Sequence, residues 1–122
     1  MFDTHAIVMV DATGVIRVWS AGAEALFGYD APRAIGQTLD LIVPEDRREQ
    51  HWAGFRAAMR TGKTKLDQPA ANLPIVCGDG RTVRFASRLV LLRNARGEAV
   101  GALGIFAPNR GSQEGDPGLP SL

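Results

Sequence analysis

Residues 6–29 read Ala6-Ile-Val-Met-Val10, Asp11-Ala-Thr-Gly14, Val15-Ile-Arg-Val-Trp19 and Ser20-Ala-Gly-Ala-Glu-Ala-Leu-Phe-Gly-Tyr29. Two β-rich segments flank a turn whose glycine supplies a positive φ, which predicts a β-hairpin. Ser20 follows where a side-chain oxygen caps a helix, and Glu24 lies close enough to the first turn to favour its positive end. Ala21, Ala23, Ala25 and Leu26 carry this short helix to Gly28. The chain therefore makes a strand pair and leaves the sheet at once.

Asp30 is placed to cap a further turn through Arg33 to Ile35, with Gly36 as its stop. Pro44-Glu45-Asp46 is a strong helix opening, with proline at the first position and two acids near the positive dipole end. The longest helix is predicted to start here and end near Gly62. On its wheel Trp52, Phe55 and Met59 point to one side, and His51 lies one turn before Phe55 inside that apolar arc. After a loop containing Pro69 and Pro74 come Ile75-Val-Cys77, the turn Gly78-Asp-Gly80, and the long β-rich run from Thr82 to Leu92, read as a second hairpin. Asn94-Ala-Arg-Gly97 turns the chain into a last strand from Ala99 to Phe106. Two strands, a helical middle and three strands predict an α+β domain in which one antiparallel sheet closes over the helices.

The 122 residues fit one domain, and 45% apolar with 22% charged residues is ordinary for a packed core. Residues 1–107 are taken as the folded domain and 108–122, dense in Gly, Pro and polar residues, as a disordered tail. Fourteen Lys and Arg against thirteen Asp and Glu leave a formal charge of +1, too weak a field to gather nucleic acid or an anionic membrane. No apolar run approaches the roughly 20 residues that span a bilayer, and the N-terminus lacks a secretory pattern, so a cytoplasmic location is expected. Cys77 is the only cysteine, which excludes an intramolecular disulfide and a thiolate cluster for zinc or iron-sulfur. Hydrolase, metalloprotease, phosphate-loop and dinucleotide motifs are missing, and His5 and His51 are the only histidines, so no enzyme is expected.

Val18-Trp19-Ser20, Ala23-Glu-Ala-Leu-Phe-Gly-Tyr29, Ile35-Gly36-Gln37, Leu41-Ile-Val-Pro-Glu-Asp-Arg47, Gly78-Asp-Gly80 and Leu91-Leu-Arg-Asn-Ala-Arg-Gly97 occur in an order that resembles a PAS sensor domain over residues 5–107. The resemblance implies a five-stranded antiparallel sheet of order 2-1-5-4-3, a helical insert after strand 2, and a ligand cavity between sheet and long helix. It also implies relay of the occupied state to an output module, as in two-component signalling, through a partner such as a histidine kinase or regulator. Two departures stand out: Phe106 and Ala107 meet Pro108 instead of an Asp-Ile-Thr ending that runs into a helical linker, and Ser20 replaces the usual Asn.

His51, seven residues after Pro44, is similar to the proximal histidine of the FixL-type haem-binding oxygen sensors. Two readings of it stand: a metal ligand for haem, since ferrous haem needs one strong axial base, or an ordinary PAS histidine satisfied by backbone or water. Arg56 and Arg60 are candidate partners for haem propionates. Where that subgroup has a ligand-sensing Arg, this chain has Ala71 beside Asn72. Ser87 and Leu89 fall where such domains line the distal face, and Trp52 and Phe55 complete the candidate cofactor-binding set, although core packing is the default reading of the strand residues and of both tryptophans. Flavin is disfavoured, because no Asn-Cys-Arg-Phe-Leu motif exists and Cys77 sits beside a turn. Against the ligand-binding sensor stands a second class, an interaction PAS module that binds no cofactor and dimerises or docks a partner through its outer sheet face.

Overall fold

The computed structural model describes residues 5–63 and 71–108, with Ala71 described by its backbone alone. Five strands, β1 Ala6–Asp11, β2 Ile16–Trp19, β3 Ala71–Val76, β4 Thr82–Arg93 and β5 Ala99–Phe106, form one antiparallel sheet in the order β2-β1-β5-β4-β3. Between β2 and β3 lie α1 Ala21–Phe27, α2 Ala31–Ala34 and α3 Arg48–Thr61. The α+β class, the strand order and the helical insert are those the resemblance implies.

The first hairpin closes on Asp11, whose carboxylate accepts the N–H groups of Thr13 and Val15, the Thr13 hydroxyl and the Arg17 guanidinium. Gly14 turns the chain at φ 84°, a region costly for any side chain. Ser20 then accepts the Ala23 N–H at 3.1 Å and the Ile7 N–H at 2.8 Å, so one hydroxyl starts α1 and ties it to β1. Glu24 lies in the first turn of α1 as expected, and its carboxylate also accepts the Ala31 N–H at 2.7 Å and opens α2 beside the Asp30 cap. Small buried residues, Gly22 and Ala23, let α1 approach the sheet, and Phe27 drives edge-on into Trp19, Phe85 and Phe106 at 5.6, 5.1 and 5.2 Å. The buried polar tips are paired, Trp19 Nε1 with the Tyr29 carbonyl at 2.7 Å and the Tyr29 hydroxyl with the Val76 carbonyl at 2.8 Å.

The expected boundaries need three corrections. Glu45–Arg47, after Pro44 at the N-cap, forms a 3₁₀ turn, and α3 proper starts at Arg48; a second 3₁₀ turn, Leu39–Leu41, follows the Thr38 side-chain cap. Strand β3 begins at Ala71, four residues before Ile75, and takes Pro74 into the ladder opposite Arg84; an edge strand tolerates a missing N–H on its open side. Cys77 lies just past β3, buried. At the opposite edge, β2 is covered by the chain itself: the Ile16 N–H donates to the Gln37 carbonyl and the Gly36 N–H to the Ile16 carbonyl. Residues 109–122, most of the expected tail, lie outside the described residues.

Candidate functional site

Directly opposed residues in a sheet share a face. The ladders align Ala6, Phe106 and Ser87, then Val8, Gly104 and Leu89, then Val10, Ala102 and Leu91. This is the inner face, and its burial is uneven. Val8, Val10, Phe85, Ser87 and Phe106 are buried, whereas Leu73, Leu89, Leu91 and Ala102 are only half-buried. A helix pressed flat against the sheet would have sealed them too.

The helix over this side of the sheet is α3, fixed at its N-terminal end by polar contacts. Trp52 Nε1 donates to the Asp40 carboxylate at 2.7 Å, and the Arg48 guanidinium donates to the Asp40 and Val43 carbonyls. The Trp52 ring also lies against Gly14, where an added Cβ would collide with it. Trp52 is thus engaged in seating the helix on the first hairpin. Phe55, edge-on to Trp52 at 5.5 Å, packs half-buried against the core.

His51 is the exception to this polar bookkeeping. Its ring is edge-on to Trp52 at 4.8 Å and tilted against Phe55 at 6.2 Å, and its Nδ1 is buried with no hydrogen-bond partner among the described residues. Burial lowers its pKa below the ordinary 6.5, with the Asp40 charge opposing. The imidazole is therefore neutral at neutral pH, with a lone pair available.

The other candidate residues are distributed as follows. Arg56 and Arg60 are exposed on α3. Ser87 and Leu89 both belong to the inner face, but the Ser87 hydroxyl donates to the Phe85 carbonyl at 2.6 Å. Position 71 pairs with Ser87, while Asn72 is exposed and pairs with Ala86. Asp40, Arg48 and Arg93 are additions from the structure. The motif Thr38-x-Asp40 signalled the first as a capped turn, and Arg93 betrays itself as a charge at the core-facing parity set by Leu89 and Leu91. Among the described residues, no group of three or more His, Cys, Asp or Glu is placed to hold a metal ion, and no helix is long and apolar enough to cross a membrane.

The family model for the PAS fold matches residues 4–108. The chain belongs to the PAS family. This PAS domain is 39% identical over 46 residues to the sensor protein FixL of Bradyrhizobium diazoefficiens, a match covering 38% of the chain and 9% of FixL. It is 27% identical over 81 residues to the oxygen sensor protein DosP of Escherichia coli, covering 65% of the chain and 10% of DosP. The domain thus spans about a tenth of the length of these curated relatives. The crystal structure of the PAS domain of a protein from Colwellia psychrerythraea superposes with a TM-score of 0.73 at 28% identity, covering 88% of this chain and 89% of that one.

Proposed function

We propose that this PAS domain is the sensory module of a bacterial-type signalling protein, holding a small ligand between α3 and the inner sheet face and passing its state to an output domain or a separate histidine kinase or regulator. Haem is the ligand whose requirements the residues meet. The observation that carries this reading is the buried Nδ1 of His51, which has no hydrogen-bond partner among the described residues, on the helix that lies over the half-buried inner sheet face: an uncompensated buried polar atom is costly, and bonding it to a metal would remove the cost. His51 would supply the nitrogen that holds the iron, neutral because burial disfavours its charged form. Phe55 and Leu89 present apolar surface that excludes water, and Arg56 and Arg60 are the cations for the propionates. Haem bound there would supply an iron able to respond to a diatomic gas or to redox state. The likeness to a protein named as a sensor and another named as an oxygen sensor supports the same assignment. The domain itself is assigned no catalytic step.

Protein produced with a haem precursor is expected to carry an intense Soret band, and His51→Ala to lose it while keeping its thermal unfolding transition. Colourless protein that also refuses added hemin would remove haem from the proposal.

A second reading, homodimerisation, is favoured by the outer sheet face. Val18, Met9, Leu103 and Val90 line up across four strands, with Ile7 and Ile105 in the adjacent row; Ile7 is 38% exposed and Val18 40%. Contiguous apolar surface of this kind marks an interaction site. Light scattering should report a dimer, and Leu103→Lys a monomer.

A further inference from the structure

We propose that Arg93 is a strut that couples the C-terminal end of α3 to the β4–β5 turn, so that a shift of α3 over an interior guest is transmitted to the start of β5. The proposal deepens the sensory reading and rests on it for the identity of the moving part.

Helix α3 is held by side-chain hydrogen bonds at its two ends. At the first turn Arg48 and Trp52 bind the Asp40 segment. At the other end Gly62 closes the helix at φ 74°, and its carbonyl accepts from Arg93. Between these two ends Phe55 packs half-buried against the hydrophobic core and Ala58 is buried. A beam pinned at both ends by polar bonds and cushioned between them by apolar ones yields in its middle and transmits the load to the pins.

The second pin is built from one side chain. The Arg93 guanidinium donates to the Gly62 carbonyl on α3 and, at 3.1 Å, to the Gly97 carbonyl in the β4–β5 turn. A planar fork with several fixed donors can join two acceptors at once; a lysine ammonium has no such geometry. Between the two segments lies a cleft of about 490 Å³ lined by Met59, Arg60, Arg96, Glu98 and Val100 among others, so the strut crosses an open gap. An added Cβ at Gly62 would stand 2.9 Å from the Arg93 Nη1 atom, a further sign of how closely helix end and guanidinium meet.

The far end of the strut lies next to a deformable point of the sheet. The pairing of β4 with β5 runs Leu92 to Gly101 and then Arg93 to Ala99, which leaves Val100 as an extra residue in β5. Such a bulge loosens the ladder locally and changes strand twist. Val100 is 42% exposed. Motion entering at Gly97 therefore reaches the one irregular step of the β4–β5 ladder.

The test is amide exchange read by mass spectrometry on the 122-residue chain, with hemin as the probe guest. Without hemin, Arg93→Ala should raise exchange about tenfold both at residues 58–62 and at residues 94–100, the scale of losing a hydrogen bond at each site, and leave residues 38–48 unchanged. Arg93→Lys should restore at most one of the two segments. With hemin, the wild type should change its exchange at residues 94–100, and Arg93→Ala should bind hemin with the same spectral titration yet lose that distant change. An Arg93→Ala protein that exchanges like wild type, or that transmits the hemin effect undiminished, overturns the strut. If hemin leaves the wild-type spectrum unaltered, the haem reading fails, and the ligand-free comparison alone decides the strut.

Discussion

The two halves of the inner sheet face differ in how they are closed. Under α1 the space is filled: Phe27 is fully buried among three aromatic rings, and the polar atoms of Trp19 and Tyr29 have partners. Toward α3, Leu89, Leu91 and Ala102 remain half-buried, and His51 keeps a buried nitrogen without a partner among the described residues. The contrast starts in the helices. Gly22 and Ala23 allow α1 to settle close to β1, whereas α3 carries bulky rings that lean toward Gly14 at the hairpin turn. Close packing on one side supplies the stability that leaves the other side free to stay incomplete.

The hardest blow to this comparison is struck at Phe27. Phe27→Ala is expected to cost about 3–5 kcal/mol, because the cavity would be enclosed by Trp19, Phe85 and Phe106, which have no room to collapse. Urea melts measure it. Phe55→Ala, on the half-open side, should cost only about 1–2 kcal/mol, in keeping with its partial burial; equal losses at the two positions would erase the distinction between the halves.

The smallest effect is in pH. Because the folded-state pKa of His51 is lowered from 6.5, the unfolded chain takes up a proton first as pH falls below about 6.5, and stability declines with acidification in that window. His51→Phe should flatten the decline between pH 7.5 and 5.5 in denaturant midpoints. The carboxylates of Asp11 and Asp79 are both held below the ordinary 3.8, chiefly by hydrogen bonds from Thr13 and Arg81 respectively. Their contribution is present above 3.8 and fades only below it, so it does not overlap the histidine window.

Much of the framework was legible because it is written in local chemistry. Gly14, Ser20, Asp30 and Gly62 announce a turn, two caps and a stop, and each serves as its residue type suggests. The long β-rich run from Thr82 to Leu92 marked β4, and the sharing of His51 and Phe55 on one helical face could be counted from their spacing. What escaped the sequence depends on distant partners. Pro74 argued against a strand until β3 proved to be an edge. Glu24 suited its own helix as well as the next, and only the fold selects Ala31 as its donor. Trp52 was placed on the same side of the helix as Phe55, yet Asp40 draws its N–H away toward the 3₁₀ turn.

The two margins of the sheet carry one more implication. At β2 the backbone is already met by residues 36 and 37, and at β3 a proline interrupts the rim. A neighbouring molecule finds no clean row of amides to extend, so fibre-like growth by strand addition is discouraged. The dimer proposed above would therefore use a sheet face and not a rim.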